Sequence, residues 1–174
     1  MRFTCQPVDN RFFDDAPWIF RNEVDLDWSV ERVFADWEDA ESWPQWFGGV
    51  KKIEWTSQKP FGVGTTRTVT LESMKVFEHF FNWEPNKRLS FYFLGTSAPA
   101  FRRFAEDYQL EPRGSGCHFK YTVAIDRQNR DVAYLYHPLH LALLRSLKHI
   151  VDSAHQAGIP VGMCGEMAGD PLHT

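Results

Sequence analysis

The run Gly162-Met163-Cys164-Gly165-Glu166 is the sharpest catalytic-looking pattern in the chain. A cysteine there could act as acid, base or nucleophile, but only where a cation or a helix N-terminus favours the thiolate. Without such a setting it is an inert thiol on a C-terminal tail, and that is the reading the sequence favours. Polar residues on apolar strand faces are better candidates. Glu106 alternates with Phe104, Tyr108 and Leu110, while Asp107 and Gln109 point the other way. Arg67 shares a face with Val69 and Leu71, and His79 one with Phe77, Phe81 and Trp83. The opposite face of that strand, with Val76, Glu78 and Phe80, is nearly as apolar. Buried charges require partners, so an Arg67–Glu106 pair is expected, either structural or orienting the polar head of a ligand. If the protein is an enzyme, Glu106 and His79 are its general acid–base candidates.

Two further patterns carry less. His137 and His140 could share a helix face, but two histidines without a third ligand make a weak metal site, and a solvated helix start is expected instead. The run from Gly62 to Thr66 (GVGTT) lacks the Lys-Ser/Thr ending of a phosphate loop and reads as a hairpin entry. Neither a metal nor a cofactor is expected.

These side chains need strands to hold them. Phe20 to Trp28 alternates, placing Phe20, Val24, Leu26 and Trp28 with Asn22 on one face. Ser29 can cap a short helix with Val30, Val33, Phe34 and Trp37 as its stripe, and a second helical piece runs around Glu41 to Phe47. Strands are then predicted at Val50–Trp55, Thr65–Leu71, Met74–Trp83, Leu89–Leu94, Phe101–Glu111 and Cys117–Ile125. They are separated by Gly, Pro and Asn turns short enough to make neighbours antiparallel. After Asp131 the period becomes helical, with Leu139, Leu143, Leu147, Ile150 and Ala154 on one stripe until Gly158 and Pro160. The fold class is α+β: a curved antiparallel seven-stranded sheet around a long C-terminal helix, with two short helices after the first strand. Residues 1–17 read as a loose arm, 18–157 as one ligand-pocket domain whose helix spans about 132–157, and 158–174 as an irregular tail.

Composition narrows the function. The net charge of −4 gives no basic footprint for nucleic acid or anionic membrane. Aromatic residues make up 16% of the chain, with 15 Phe and 7 Trp, enough to wall an apolar cavity as well as fill a core. Cys5, Cys117 and Cys164 are an odd number with no metal-type spacing, and neither a signal peptide nor a membrane-length apolar run is visible. A reduced, cytoplasmic setting is expected.

Several segments resemble the helix-grip superfamily of START-like, pollen-allergen-like and polyketide-cyclase-like domains. They are Ser29 to Asp39 (SVERVFADWED), Trp43 to Trp46 (WPQW), Gly62 to Arg67 (GVGTTR), Trp83 to Phe91 (WEPNKRLSF) and Glu106 to Pro112 (EDYQLEP). The resemblance implies a hydrophobic pocket between sheet and C-terminal helix, and no fixed chemistry.

A second resemblance lies in Tyr121 to Arg130 (YTVAIDRQNR), His137 to His140 (HPLH) and Gly158 to Pro171 (GIPVGMCGEMAGDP). These segments look like the C-terminal barrel of phosphoenolpyruvate–protein phosphotransferase. In that family the cysteine matching Cys164 exchanges a proton with the enolpyruvate carbon. A (β/α)₈ barrel takes about 250 residues, and the family's Asn-Asp pair falls here on Gly116 and Cys117. The arginine clamp and magnesium carboxylates are not found either. The two resemblances overlap at Tyr121–Ile125 and read as a fusion, natural or artificial, in which the borrowed helix replaces the domain's own.

The expected function is therefore binding of a small hydrophobic molecule, with a cyclase- or hydratase-like enzyme as the alternative and phosphoenolpyruvate chemistry rejected. Phe91, Phe104, Tyr108 and Tyr121 are expected to wall the pocket from the sheet, Leu143 and Leu147 from the helix. Arg67, His79 and Glu106 supply its polar groups. Neither nucleic acid nor membrane insertion is expected, and the chain could be monomer or homodimer.

Overall fold

A computed structural model describes residues 1–47 and 49–127, apart from the side chain of Trp46. The expectations for the helix at 132–157 and the tail at 158–174, with Leu143, Leu147, His137, His140 and Cys164, lie outside the described residues.

Among the described residues, eight strands and three short helices form in the order β1 (Phe3–Thr4), α1 (Phe12–Asp15), β2 (Trp18–Leu26), α2 (Val30–Glu38), α3 (Trp43–Trp46), β3 (Val50–Trp55), β4 (Thr66–Leu71), β5 (Lys75–Glu84), β6 (Arg88–Thr96), β7 (Phe101–Arg113) and β8 (Gly116–Arg127). The sheet path is β2-β8-β7-β6-β5-β4-β3, with β1 paired to β6 off the path. The seven expected strands are therefore present and antiparallel. Because β2 and β3 are the two edges, α2 and α3 cross between the ends of an open sheet. Ser29 caps α2 as its sequence implies, its hydroxyl accepting the Arg32 amide at 3.4 Å.

Alternation along the strands gives the sheet two faces. On the concave side Val69, Val76, Phe80, Leu89, Phe91, Phe104, Tyr108, Leu110, Phe119 and Tyr121 join Val33, Phe34 and Trp37 of α2 in one core. Trp28 does not join them. It lies past the end of β2, 43% exposed, with the Arg32 guanidinium 4.3 Å from its ring.

The N-terminal segment is the main correction. It was expected to be loose, and it is docked. β1 pairs at Gly95 and Thr96, and the Cys5 and Gln6 amides donate to the carbonyls of Leu94 and Arg102 at 3.1 and 2.8 Å. The chain then crosses the convex face, where Phe12 and Phe13 pack with Tyr92, Ala105 and Ala124. Its anchors are two phenylalanines in an otherwise polar stretch, too few to show a period.

Candidate functional site

The concave face carries a cluster of charged and hydroxyl side chains inside an aromatic wall. Counting equally outward from the Glu72–Ser73 turn puts Arg67 of β4 opposite Glu78 of β5, and the register confirms that pairing. Arg67 Nε donates to Glu78 Oε2, with both residues more than 95% buried. The guanidinium carbon stands 4.4 Å from the ring centroid of Trp43, 5.1 Å from Phe80 and Phe91, and 5.3 Å from Trp55. Aromatic faces and a carboxylate together offset the desolvation of the buried cation. Trp43 and Trp55 are fixed in turn by indole N–H bonds of 3.0 Å to the carbonyls of Trp37 and Glu38.

Beside this pair, Glu106 of β7 accepts a 2.6 Å hydrogen bond from the Tyr108 hydroxyl. Burial is the main cause that pushes Glu106 up to about 7, with Tyr108 opposing and the negative charge of Glu78 adding to the rise. Burial also raises Glu78, against the pull of Arg67. Tyr108 and Tyr121 are raised by burial first and by the Glu106 charge second, so both hydroxyls stay neutral. Their rings meet edge to face at 5.0 Å. Tyr121 lies near enough to Glu106 and Tyr108 for hydrogen bonding through its hydroxyl to lower Glu106, in a looser geometry than the 2.6 Å bond from Tyr108. Arg67 Nη1 is buried and unpartnered among the described residues.

Arg67, Phe91, Phe104, Glu106, Tyr108 and Tyr121 thus stand on the expected face. Two expectations fail. Arg67 takes Glu78 as its carboxylate, rather than Glu106, because β4–β5 pairing places Glu78 directly across from it. His79 is on the convex face, its ring 5.0 Å from Tyr92. Val76, Glu78 and Phe80 take the concave side, so His79 shares the convex face with Phe81, whose ring also meets Tyr92 at 5.9 Å. Phe80 pairs with Phe91 but Asn82 with Ser90, so Phe81 is the extra residue of a bulge. The phase of β5 shifts there, which leaves Phe80 and Trp83 together in the concave core, ring centroids 5.0 Å apart.

Glu78, Trp43 and Trp55 were missed as site residues. For Glu78 the signal was present, in equal spacing about a two-residue turn. Trp43 and Trp55 come from elements distant in sequence, and no local pattern pairs them.

Of the three cysteines, Cys5 and Cys117 are buried and free, and burial pushes each thiol up to about 11. Such thiols are unreactive. Among the described residues no group of three His, Cys, Asp or Glu could hold a metal, and no helix is long and apolar enough to cross a membrane.

An open antiparallel sheet with two short helices between its edge strands has the sheet topology of the helix-grip class. Residues 26–134 match the family model described as polyketide cyclase / dehydrase and lipid transport. An uncharacterised protein of Mycobacterium tuberculosis is 38% identical over 152 residues, covering 85% of this chain and 91% of that one. The chain belongs to the polyketide cyclase / dehydrase and lipid transport family. A START superfamily protein of Mycobacterium smegmatis shares the fold, with TM-score 0.62 at 14% identity over 78% of this chain and 97% of that one.

Residues 114–174 also match the PEP-binding domain of PEP-utilising enzymes. The phosphoenolpyruvate-protein phosphotransferase of Geobacillus stearothermophilus is 49% identical over 70 residues, which are 40% of this chain and 12% of that enzyme. The chain therefore spans about an eighth of the phosphotransferase it matches.

Proposed function

We propose that the concave face binds a small, largely apolar molecule, and that the protein is a binding domain first. The carrying observation is the Arg67–Glu78 and Glu106–Tyr108 cluster inside an aromatic wall. A face that only had to pack would gain stability from apolar residues of similar volume, since a buried ion pair offsets its desolvation only in part. Retaining charge there suits a surface that must orient a ligand. The family's description, which includes lipid transport, supports the same reading.

An apolar environment-sensitive dye should bind saturably with Kd on the order of 1 μM, about −8 kcal/mol. Trp43, Trp55 and Trp83 stand in or beside the aromatic wall, so intrinsic fluorescence should report binding. Failure of a broad apolar panel to change either fluorescence or melting temperature would remove this reading.

The second reading is an enzyme of the cyclase or dehydratase kind. Glu106, held near neutral titration by burial, is suited to take and return a proton at physiological pH. His79 has no part in it, being on the other face. A cytoplasmic location is part of the same proposal.

A further inference from the structure

The N-terminal arm crosses the convex face at the bulge in β5, and two of its side chains hold both residues of that bulge. Phe80 and Trp83 face the concave core, whereas Phe81 and Asn82, neighbours in sequence, both turn to the convex side. Phe13 of the arm stacks on Phe81 with ring centroids 6.0 Å apart. Asn10 Oδ1 accepts from Asn82 Nδ2 at 2.7 Å and from Arg88 Nη2 at 3.0 Å. Asn82 Nδ2 also donates to Ser90 Oγ at 2.8 Å. Ser90 Oγ and Arg88 Nε in turn donate to Asp107 Oδ1 at 2.5 and 2.7 Å. Five side chains thus close a ring of hydrogen bonds, and Asn10 is the member that the arm contributes. A guanidinium only donates, so Asn10 meets Arg88 with its carbonyl oxygen, and Asn82 must turn its amide nitrogen to the same atom.

The place of a bulge sets the phase of the strand beyond it. Past Phe81, β5 has only Asn82, Trp83 and Glu84 left in register, so its own ladder holds that phase weakly. We propose that Asn10 and Phe13 are positioning residues for the concave face. By holding Asn82 and Phe81 outward they fix the phase that brings Trp83 into the aromatic wall, 5.0 Å from Phe80 and 6.0 Å from Trp55. Docking of the arm on one face is thereby linked to the shape of the other. A ligand that uses Trp83 and the docked arm must favour each other by the same factor. That coupling rests on the binding reading above, while the placement of Trp83 does not.

Fluorine NMR of the full chain carrying 5-fluorotryptophan tests this, well below the melting temperature and with the Trp83 resonance assigned through Trp83→Phe. Asn10→Ala removes the acceptor and should move that resonance, while the resonance of exposed Trp28 stays in place. Asn10→Asp keeps an oxygen acceptor for Asn82 and Arg88 and should restore the wild-type position. An apolar dye should bind Asn10→Ala about fivefold more weakly than the wild type, the low end for coupled sites, and should bind Asn10→Asp normally. A Trp83 resonance unmoved in Asn10→Ala overturns the proposal, and a lower melting temperature alongside it would mean that the arm only stabilises. Equal displacement in Asn10→Ala and Asn10→Asp overturns it as well. A moved resonance with unchanged dye affinity keeps the placement and overturns the coupling. If the wild type binds no dye, the binding reading falls and the resonance alone decides the placement of Trp83.

Discussion

Glu106 is the residue whose ionisation the fold opposes most clearly. Its pKa rises from 4.5 in the unfolded chain to about 7, so between those values the native state holds a proton that the unfolded state has released. Stability must then fall as pH rises through that window and stay reduced above it, by on the order of 3 kcal/mol. Glu106→Gln keeps an acceptor for Tyr108 and removes the titration. Urea unfolding should show the variant gaining on the wild type from pH 5 to pH 8, and parallel pH profiles would show that Glu106 titrates normally. Glu106 and Arg67 were legible from sequence because each interrupts an apolar alternation, which local reading detects. Tyr108, two residues along β7 from Glu106, is a local partner of that carboxylate, while the partner of Arg67 Nε was legible only through pairing across the hairpin.

At the scale of elements, strands came through in the sequence nearly to their ends, because turn residues and period-two alternation are local properties. β5 shows where that fails. A single inserted residue, Phe81, exchanges the two faces beyond it, so Trp83 departs from the face that His79 and Phe81 share. The N-terminal arm failed for a different reason, since its docking depends on surface supplied by β6, β7 and β8. Phe12, only 2% exposed, lies beneath the Arg103 guanidinium at 4.6 Å. Phe12→Ala should cost about 3–5 kcal/mol in chemical denaturation. A loose arm would give no change. Gly95→Ala tests the same docking from the other side. A Cβ on Gly95 would sit 2.5 Å from the Phe3 carbonyl oxygen and 2.9 Å from Arg2 Nε. The variant should displace β1 and speed amide exchange at Cys5 and Gln6, whose bonds to Leu94 and Arg102 depend on it.

For the molecule as a whole, two family matches share one chain of 174 residues. The helix-grip match brings most of its fold with it. The phosphotransferase match brings a thiol and about an eighth of that enzyme's length, whereas a barrel that presents a substrate takes about 250 residues. Labelled phosphoenolpyruvate should transfer no phosphate to the protein, and Cys164→Ala should leave melting temperature and dye binding unchanged. Phosphate transfer lost in that variant would reverse the assignment.

The two matches overlap over residues 114–134, and that overlap contains the whole of β8, bonded to β7 on one side and β2 on the other. What β8 presents to the core is Cys117, Phe119, Tyr121, Val123 and Ile125, every second residue. The sheet therefore selects for periodicity and is indifferent to ancestry. A strand of either lineage can close it, provided its alternation is in phase, so the seam between two lineages can run through the middle of a hydrogen-bonded sheet without leaving a gap in it.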